Sequence, residues 1–263
     1  MKKIFAALCL APSLIWGVVF ESGRMEDIVP HVDEETWVFL DVDNTLIESS
    51  QHLGSAQWRN HIRKKAYNCG YNNEETELAL DKFWLFVQHF VPVMLVDPYT
   101  VGVIEQLKES NTYVFALTAR DSIESVHTQR QLSSADISLS SDPLPQTLVL
   151  PAARPALLDQ GVIYCGENTK SEALIAFFKE IGRIPKKVVI VDDRLDQIEA
   201  LEKTIEALGI EFVGIRFNAA DKRVQAFDED IADVQFSYLP KIVTDEEANE
   251  MLHGFIDLYE KEE

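Results

Sequence analysis

The stretch "WVFLDVDNTLI", residues 37–47, runs an apolar segment directly into two aspartates one residue apart, Asp41 and Asp43. Carboxylates delivered by a buried strand are costly unless a cation or a shared proton relieves them. A metal ion or a reacting phosphoryl group would supply that relief, and a carboxylate is itself a competent nucleophile. Phosphoryl transfer depends mainly on positioning and on neutralising oxygen charge. Three other segments end on polar or charged groups. "VFALTAR", residues 114–120, ends an apolar run on Thr118. "GENTKSEAL" places Lys170 ahead of an amphipathic stretch, and "KVVIVDDRLDQI", residues 187–198, ends on Asp192 and Asp193, with Asp196 four residues after the first acid. Hard oxygen ligands of this kind suit Mg²⁺.

These groups act together only if the fold brings them to one edge. Short apolar runs recur at Trp37–Leu40, Tyr113–Leu117, Val188–Val191 and Phe212–Ile215. Stretches with helical spacing separate them, and Leu174–Gly182 and Ile198–Gly209 both close on glycine. The alternation predicts an α/β fold with a doubly wound parallel sheet flanked by helices. Ligands of such sheets sit beyond the carboxyl ends of the strands, where Asp41, Thr118 and Asp192 all fall. Residues 48–95 break the rhythm: no strand is evident, and Gln57–Tyr67 and Glu74–Phe90 read as two helices joined by "NCGYNN". The expected organisation is a core of residues 24–47 and 96–263 with a helical cap of residues 48–95. The Ser- and Pro-rich region 133–161 should hold one strand and a long loop. The acidic tail from Asp221, with a final helix over Asp245–Tyr259, should serve packing and solubility.

Taken in order, the four segments resemble the signatures of the haloacid dehalogenase (HAD) superfamily in its phosphatase form, D-x-D-x-T, over about residues 37–217. The resemblance implies a HAD-type Rossmann-like core with a small cap inserted after the first strand. It implies that Asp41 attacks phosphorus and that Asp43 protonates the leaving oxygen and then activates water. Thr118, with Ala119 beside it, would bind a phosphoryl oxygen, and Lys170 would neutralise charge. Mg²⁺ would be held by Asp41, the Asp43 backbone carbonyl and Asp192, with Asp193 or Asp196 on metal-bound water. Dehalogenases of that superfamily lack the second acid, so Asp43 favours phosphate-ester hydrolysis. "GVIYCGENTKSEAL" and "VVIVDDRLDQIEAL" also resemble an exported HAD-like bacterial family of unknown function, similar to secreted acid phosphatases. The residues keep structural alternatives: helix caps for Asp41, Asp43 and Thr118, a solvated Lys170, a surface turn for Asp192 and Asp193.

Composition sets the remaining bounds. The chain has 263 residues, 46% hydrophobic content and a net charge of −20. That charge disfavours nucleic acid and anionic membrane surfaces as partners, but a local cluster of cations can still accept a small phosphorylated substrate. Met1-Lys2-Lys3 followed by the apolar Ile4–Phe20 reads as a signal peptide or anchor over residues 1–23, giving a periplasmic or secreted protein. Membrane contact would come only through an uncleaved N-terminal segment. Cys69 and Cys165 either pair or remain free thiols. "HIRKK", residues 61–65, either selects an anionic substrate or is a solvated helix face. Phe83, Trp84, Phe86 and Phe90 form either a pocket floor or a core stripe. The expected function is an exported Mg²⁺-dependent phosphohydrolase that cleaves a small phosphomonoester through an aspartyl-phosphate. The alternative is a secreted binding or effector protein with vestigial phosphatase activity, whose protein partner stays open.

Overall fold

Strand β2 (Thr36–Leu40) is buried at every residue, as a run without polar alternation should be when both faces of a parallel sheet are covered. It lies in the middle of the sheet in a computed structural model that describes residues 17–139 and 144–259, with side chains to residue 253. The eight-stranded order is β1-β10-β9-β2-β5-β8-β7-β6. Here β1 is Val18–Ser22, β5 Tyr113–Thr118, β6 Thr147–Leu150, β7 Ala156–Asp159, β8 Val162–Tyr164, β9 Lys187–Asp192 and β10 Glu211–Phe217. Strands β1, β10, β9, β2, β5 and β8 pair in parallel, whereas β7 and β6 are antiparallel. The fold is therefore mixed α/β with a mostly parallel central sheet flanked by helices.

Alternate residues of β2 feed the two sides. Val38 and Leu40 join the core beneath helix α3 (Thr100–Glu109). Trp37 and Phe39 join Phe115, Phe177 and Phe178 beneath α5 (Lys170–Ile181) and α6 (Leu195–Ala207). Helix α5 starts on a reciprocal cap, Thr169 with Glu172, so Lys170 lies in its first turn rather than ahead of it, and stops on Gly182 in the left-handed region at φ 64°, the glycine stop the sequence pattern predicts.

Three expectations need correction. Residues 48–95 contain strands after all: β3 (Ile47–Ser49) and β4 (Val93–Leu95) pair antiparallel and bracket α1 (Ala56–Asn68) and α2 (Glu74–Phe90). Three residues are too few to show a period of two. Region 133–161 holds two strands, β6 and β7, rather than one, their four-residue lengths hidden by Ser and Pro. The N-terminal boundary also moves. Val18–Ser22 is edge strand β1, in parallel register with Val213–Phe217, so a segment ending at residue 23 would remove part of the sheet. Residues 1–16, most of the leader expectation, lie outside the described residues. Among the described residues no helix is long and apolar enough to cross a membrane.

The helical segment is tied down rather than free. Trp84 Nε1 donates to buried Glu124 at 2.6 Å, and Gln131 donates to Gln88 at 2.6 Å; Gln131 lies on α4 (Ser125–Ser134). On the other side Ala232 and Phe236 of α8 (Glu229–Ser237) pack with Trp58 and Trp84, and Gln235 accepts the Leu53 N–H at 2.8 Å. The acidic tail thus braces α1 as well as covering surface. Of the expected aromatic stripe, only Trp84 is buried; Phe83 and Phe86 are about half exposed, at 50% and 51%. Among the described residues Cys69 and Cys165 are free thiols, Cys69 exposed and Cys165 buried.

Strand β1 yields a stability prediction. Protein beginning at Arg24 should be less stable than protein beginning at Gly17 by about 2 kcal/mol or more, roughly 5 °C in Tm for a chain of this size. Equal melting temperatures would show that β1 adds nothing to the sheet.

Candidate functional site

The register of the central strands builds the site. Leu40 lies opposite Val191 of β9 and Ala116 of β5, and the Asp41 N–H extends the ladder by donating to Val191 O at 2.8 Å. Asp41, Asp192 and Thr118 therefore arrive at one carboxyl edge, beside the central strand from which connections leave in both directions. Lys170 reaches them as the first residue of α5. Its ammonium lies 2.5 Å from Asp41 Oδ1 and 2.6 Å from Asp192 Oδ2. All three side chains are buried, Lys170 at 5% exposure. A buried lysine without partners would lose its proton. Here burial works against the charge, but Asp192 and Asp41 outweigh it and hold the lysine well above its ordinary pKa.

The second acid meets a different fate. Both oxygens of Asp43 are held by the Arg120 guanidinium, at 2.7 and 2.9 Å. Burial pushes the Asp43 carboxyl up, but the Arg120 charge and its two bonds prevail, and the net shift is downward. Arg120 is itself 4% exposed, and its remaining nitrogen donates to Thr128 and Gln131 at 3.0 and 2.7 Å. Sequence reasoning passed over this residue. Its signal was an arginine two positions beyond the Thr118 strand end, where a long side chain can reach back to the neighbouring strand's acids.

The acid pair on β9 also divides its work. Asp192 Oδ1 accepts the Arg194 N–H at 2.9 Å. Asp193 accepts from Asn44 at 3.2 Å, and burial followed by the Asp192 charge raises its carboxyl to about 6. Asn44 sits at φ 60°, a left-handed turn that asparagine tolerates better than most residues; its N–H caps the turn on Ile47 O at 2.9 Å. Asp196 is drawn away by exposed Arg194, so of the two outer acids Asp193 is the one at the site. Oxygens of Asp41, Asp192 and Asp193 lie within 4.8 Å of one another. Burial pushes Asp41 well above the ordinary carboxylate range, Lys170 pulls it down, and Asp192 and Asp193 push it further up.

These groups line a cleft of about 310 Å³ roofed by α1 and α2. Ala119 faces it, whereas Thr118 is buried at 1% exposure and its hydroxyl accepts the Arg120 N–H at 3.2 Å. The sequence expectations for Asp41, Lys170, Asp192 and Ala119 meet in one place. Thr118 lies just beneath the wall, and the Asp43 carboxylate faces Arg120 rather than the other three acids. The structural alternatives fall away for Lys170 and Asp192, neither of which is solvated. Among the described residues five cationic side chains border the cleft, Arg59, Arg63, Arg120, Lys170 and Arg194, out of 24 in a chain of net charge −20. Four acids, Asp41, Asp43, Asp192 and Asp193, line the same cleft.

Comparison with known proteins places the chain. Proteins carrying the name "Putative outer membrane protein" in Chlamydia pneumoniae and Chlamydia muridarum are 24% and 23% identical to it over 217 and 221 residues, covering 82% and 84% of both chains. An uncharacterized protein of Rickettsia prowazekii is 26% identical over 254 residues, 90% of this chain and 91% of its own. No solved structure matches. These findings correct the resemblance to the HAD superfamily, and with it the likeness to secreted acid phosphatases and exported HAD-like proteins: the family that matches residues 21–249 is another one. The physical reason is that any charge-handling site at the edge of a parallel sheet collects acids, a hydroxyl and a lysine at strand and helix ends. Four short segments in order report that architecture, and ancestry is a separate matter. The chain belongs to the family described as "Protein of unknown function (DUF2608)", matched across residues 21–249.

Proposed function

We propose that this protein is a Mg²⁺-assisted phosphohydrolase acting on a small phosphomonoester, with Asp41 as nucleophile. The observation that carries the reading is the buried Lys170 bridge between Asp41 and Asp192, in a cleft where cations outnumber acids. Asp41 attacks phosphorus and the bond to the leaving oxygen breaks, giving an aspartyl-phosphate that water then hydrolyses. Lys170 orients Asp41 and opposes the upward push of burial on its carboxyl, favouring the ionised nucleophile, and balances charge on the transferring group. Asp43, kept ionised by Arg120, is set to take a proton from the attacking water; to protonate the leaving oxygen in the first step it must turn off Arg120 and first gain a proton from solvent. Thr118 supports the Arg120 backbone beneath the Ala119 wall.

The donor chemistry of Asp41, Asp192 and Asp193 fits Mg²⁺: three carboxylates, hard oxygen ligands, with burial first and then mutual repulsion raising Asp41 and Asp193. When bound there, the ion would add positive charge against the phosphoryl oxygens. Helices α1 and α2 act as a cap over the site, braced on α4 and α8, so selection rests on the cleft wall more than on a swinging lid. An address in the cell envelope, reached by export, is supported by the names of the chlamydial relatives. A second reading, an exported anion-binding protein with vestigial turnover, draws support from the Arg120 clamp on Asp43.

Hydrolysis of p-nitrophenyl phosphate separates these readings. The full chain should turn it over with Mg²⁺, stop in EDTA and stop on Asp41→Asn. A folded protein that binds phosphate without turnover, across pH 5 to 8 and a panel of natural monoesters, would favour the binding protein. Asp43→Asn should lower kcat on alkyl phosphates by about 10²–10⁴. On p-nitrophenyl phosphate, whose leaving group needs no proton, the same variant should show a burst of nitrophenol as the aspartyl-phosphate accumulates. Equal losses on both substrates without a burst would remove Asp43 from the second step.

A further inference from the structure

We propose that the cleft recognises a second oxyanion on its substrate, a phosphate or a carboxylate, through Arg59 and Arg63. The inference rests on the phosphohydrolase reading and names its substrate class: monoesters that carry another anionic group.

Helix α1 divides its residues between two neighbours. Trp58 packs into the apolar cluster with α8, while His61 and Lys65 meet the acids Glu229 and Asp233 there, at 3.0 and 2.6 Å. Arg59, Asn60 and Arg63 face the cleft instead. Arginines four apart on a helix stand side by side, so their two forks can share one polyoxygen group. Both are pre-aimed. Arg59 donates to Asp81 at 2.7 Å and Arg63 to Glu77 at 3.2 Å, and Asp81 and Glu77 are likewise four apart on α2. The Arg59 guanidinium also lies over the Trp84 ring at 5.3 Å. Each side chain spends one edge on an acid of α2 and keeps further N–H groups. Arg59 Nε, closed off from solvent, meets no hydrogen-bond partner among the described residues.

The other cations bordering the cleft are committed. Arg120 spends its nitrogens on Asp43, Thr128 and Gln131. Lys170 is held between Asp41 and Asp192, where the reacting phosphoryl group belongs. The Arg194 fork closes on Asp196, with Nε and Nη2 both donating to it. Arg59 and Arg63 therefore form a second positive station beside the first. Planar forks suit phosphate and carboxylate through paired hydrogen bonds.

The test is a set of matched substrates on the full chain: glycerol 3-phosphate against 3-phosphoglycerate, and fructose 6-phosphate against fructose 1,6-bisphosphate. The two-anion member of each pair should have the higher kcat/KM, by about tenfold or more. Arg63→Gln should bring the ratio towards one by raising KM for the two-anion member. Arg59→Lys, which keeps charge and removes the fork, should do the same. Because Arg59 also pairs with Asp81 and stacks on Trp84, thermal melting must confirm that each variant is folded, and Arg63→Gln decides if Arg59→Lys is not. Equal use of both members, or a preference that survives Arg63→Gln, overturns the proposal and leaves the phosphohydrolase reading intact. If no monoester is turned over, the phosphohydrolase reading fails by itself, and calorimetry with the same four compounds decides this one. Tighter binding of the two-anion compounds, lost in Arg63→Gln, upholds the arginine pair; equal or absent binding overturns it. Comparing the carboxylate pair with the bisphosphate pair tells which oxyanion is preferred.

Discussion

Lys170, buried between Asp41 and Asp192, is the interaction on which the rest of the architecture depends. Three charges taken out of water are tolerable only when their geometry satisfies all of them, and removing the cation would leave acids facing each other in a dry interior. That condition fixes more than side chains. It requires β2 and β9 to end level, α5 to begin on the correct turn, and the Thr169–Glu172 cap to hold that beginning in place. The aromatic packing of Trp37, Phe39, Phe115, Phe177 and Phe178 between sheet and helix supplies the rigidity that keeps the triad from drifting.

The second constraint is electrostatic division of labour. A chain with net charge −20 would repel an anionic ligand at most of its surface, yet cations gather around one cleft. Each has its own acidic partner: Arg120 with Asp43, Lys170 with Asp41 and Asp192, Arg59 with Asp81, Arg63 with Glu77. The pairing serves two ends. It makes the cations affordable in a half-buried place, and it locks their orientation before any ligand arrives, which lowers the entropy lost on binding.

The helices over the cleft, α1 and α2, are tied to the body of the protein on both sides. Trp84 reaches a buried glutamate, Gln88 exchanges hydrogen bonds with α4 and the Gly54 carbonyl, and the C-terminal helices pack under Trp58. At Gly54, φ 78°, any side chain would strike Val91, so the chain entering α1 lies close against the end of α2. These are features of a preformed pocket. Arg59 and Arg63 hold fixed positions in its wall, each anchored by an acid of α2.

Much of this was legible in the chain itself. The apolar runs ending on Asp41, Thr118 and Asp192 declared strands and one chemical edge, because a parallel sheet puts its carboxyl ends together. The two inserted helices and the glycine stops could be read from period and backbone preference, since those are local properties. Strands β3, β4, β6 and β7 could not, being too short to carry a period. The edge strand β1 was concealed inside an apolar stretch that looked like part of a leader, and only pairing with β10 identifies it. Tertiary structure alone decided which charges met: Arg120 took Asp43, Arg194 took Asp196, Asp193 stayed at the site, and Arg59 and Arg63 turned to the cleft while His61 and Lys65 turned away. Sequence names the charged groups and the edge they approach. Partner choice depends on distances between segments far apart in the chain, and only the folded packing sets those.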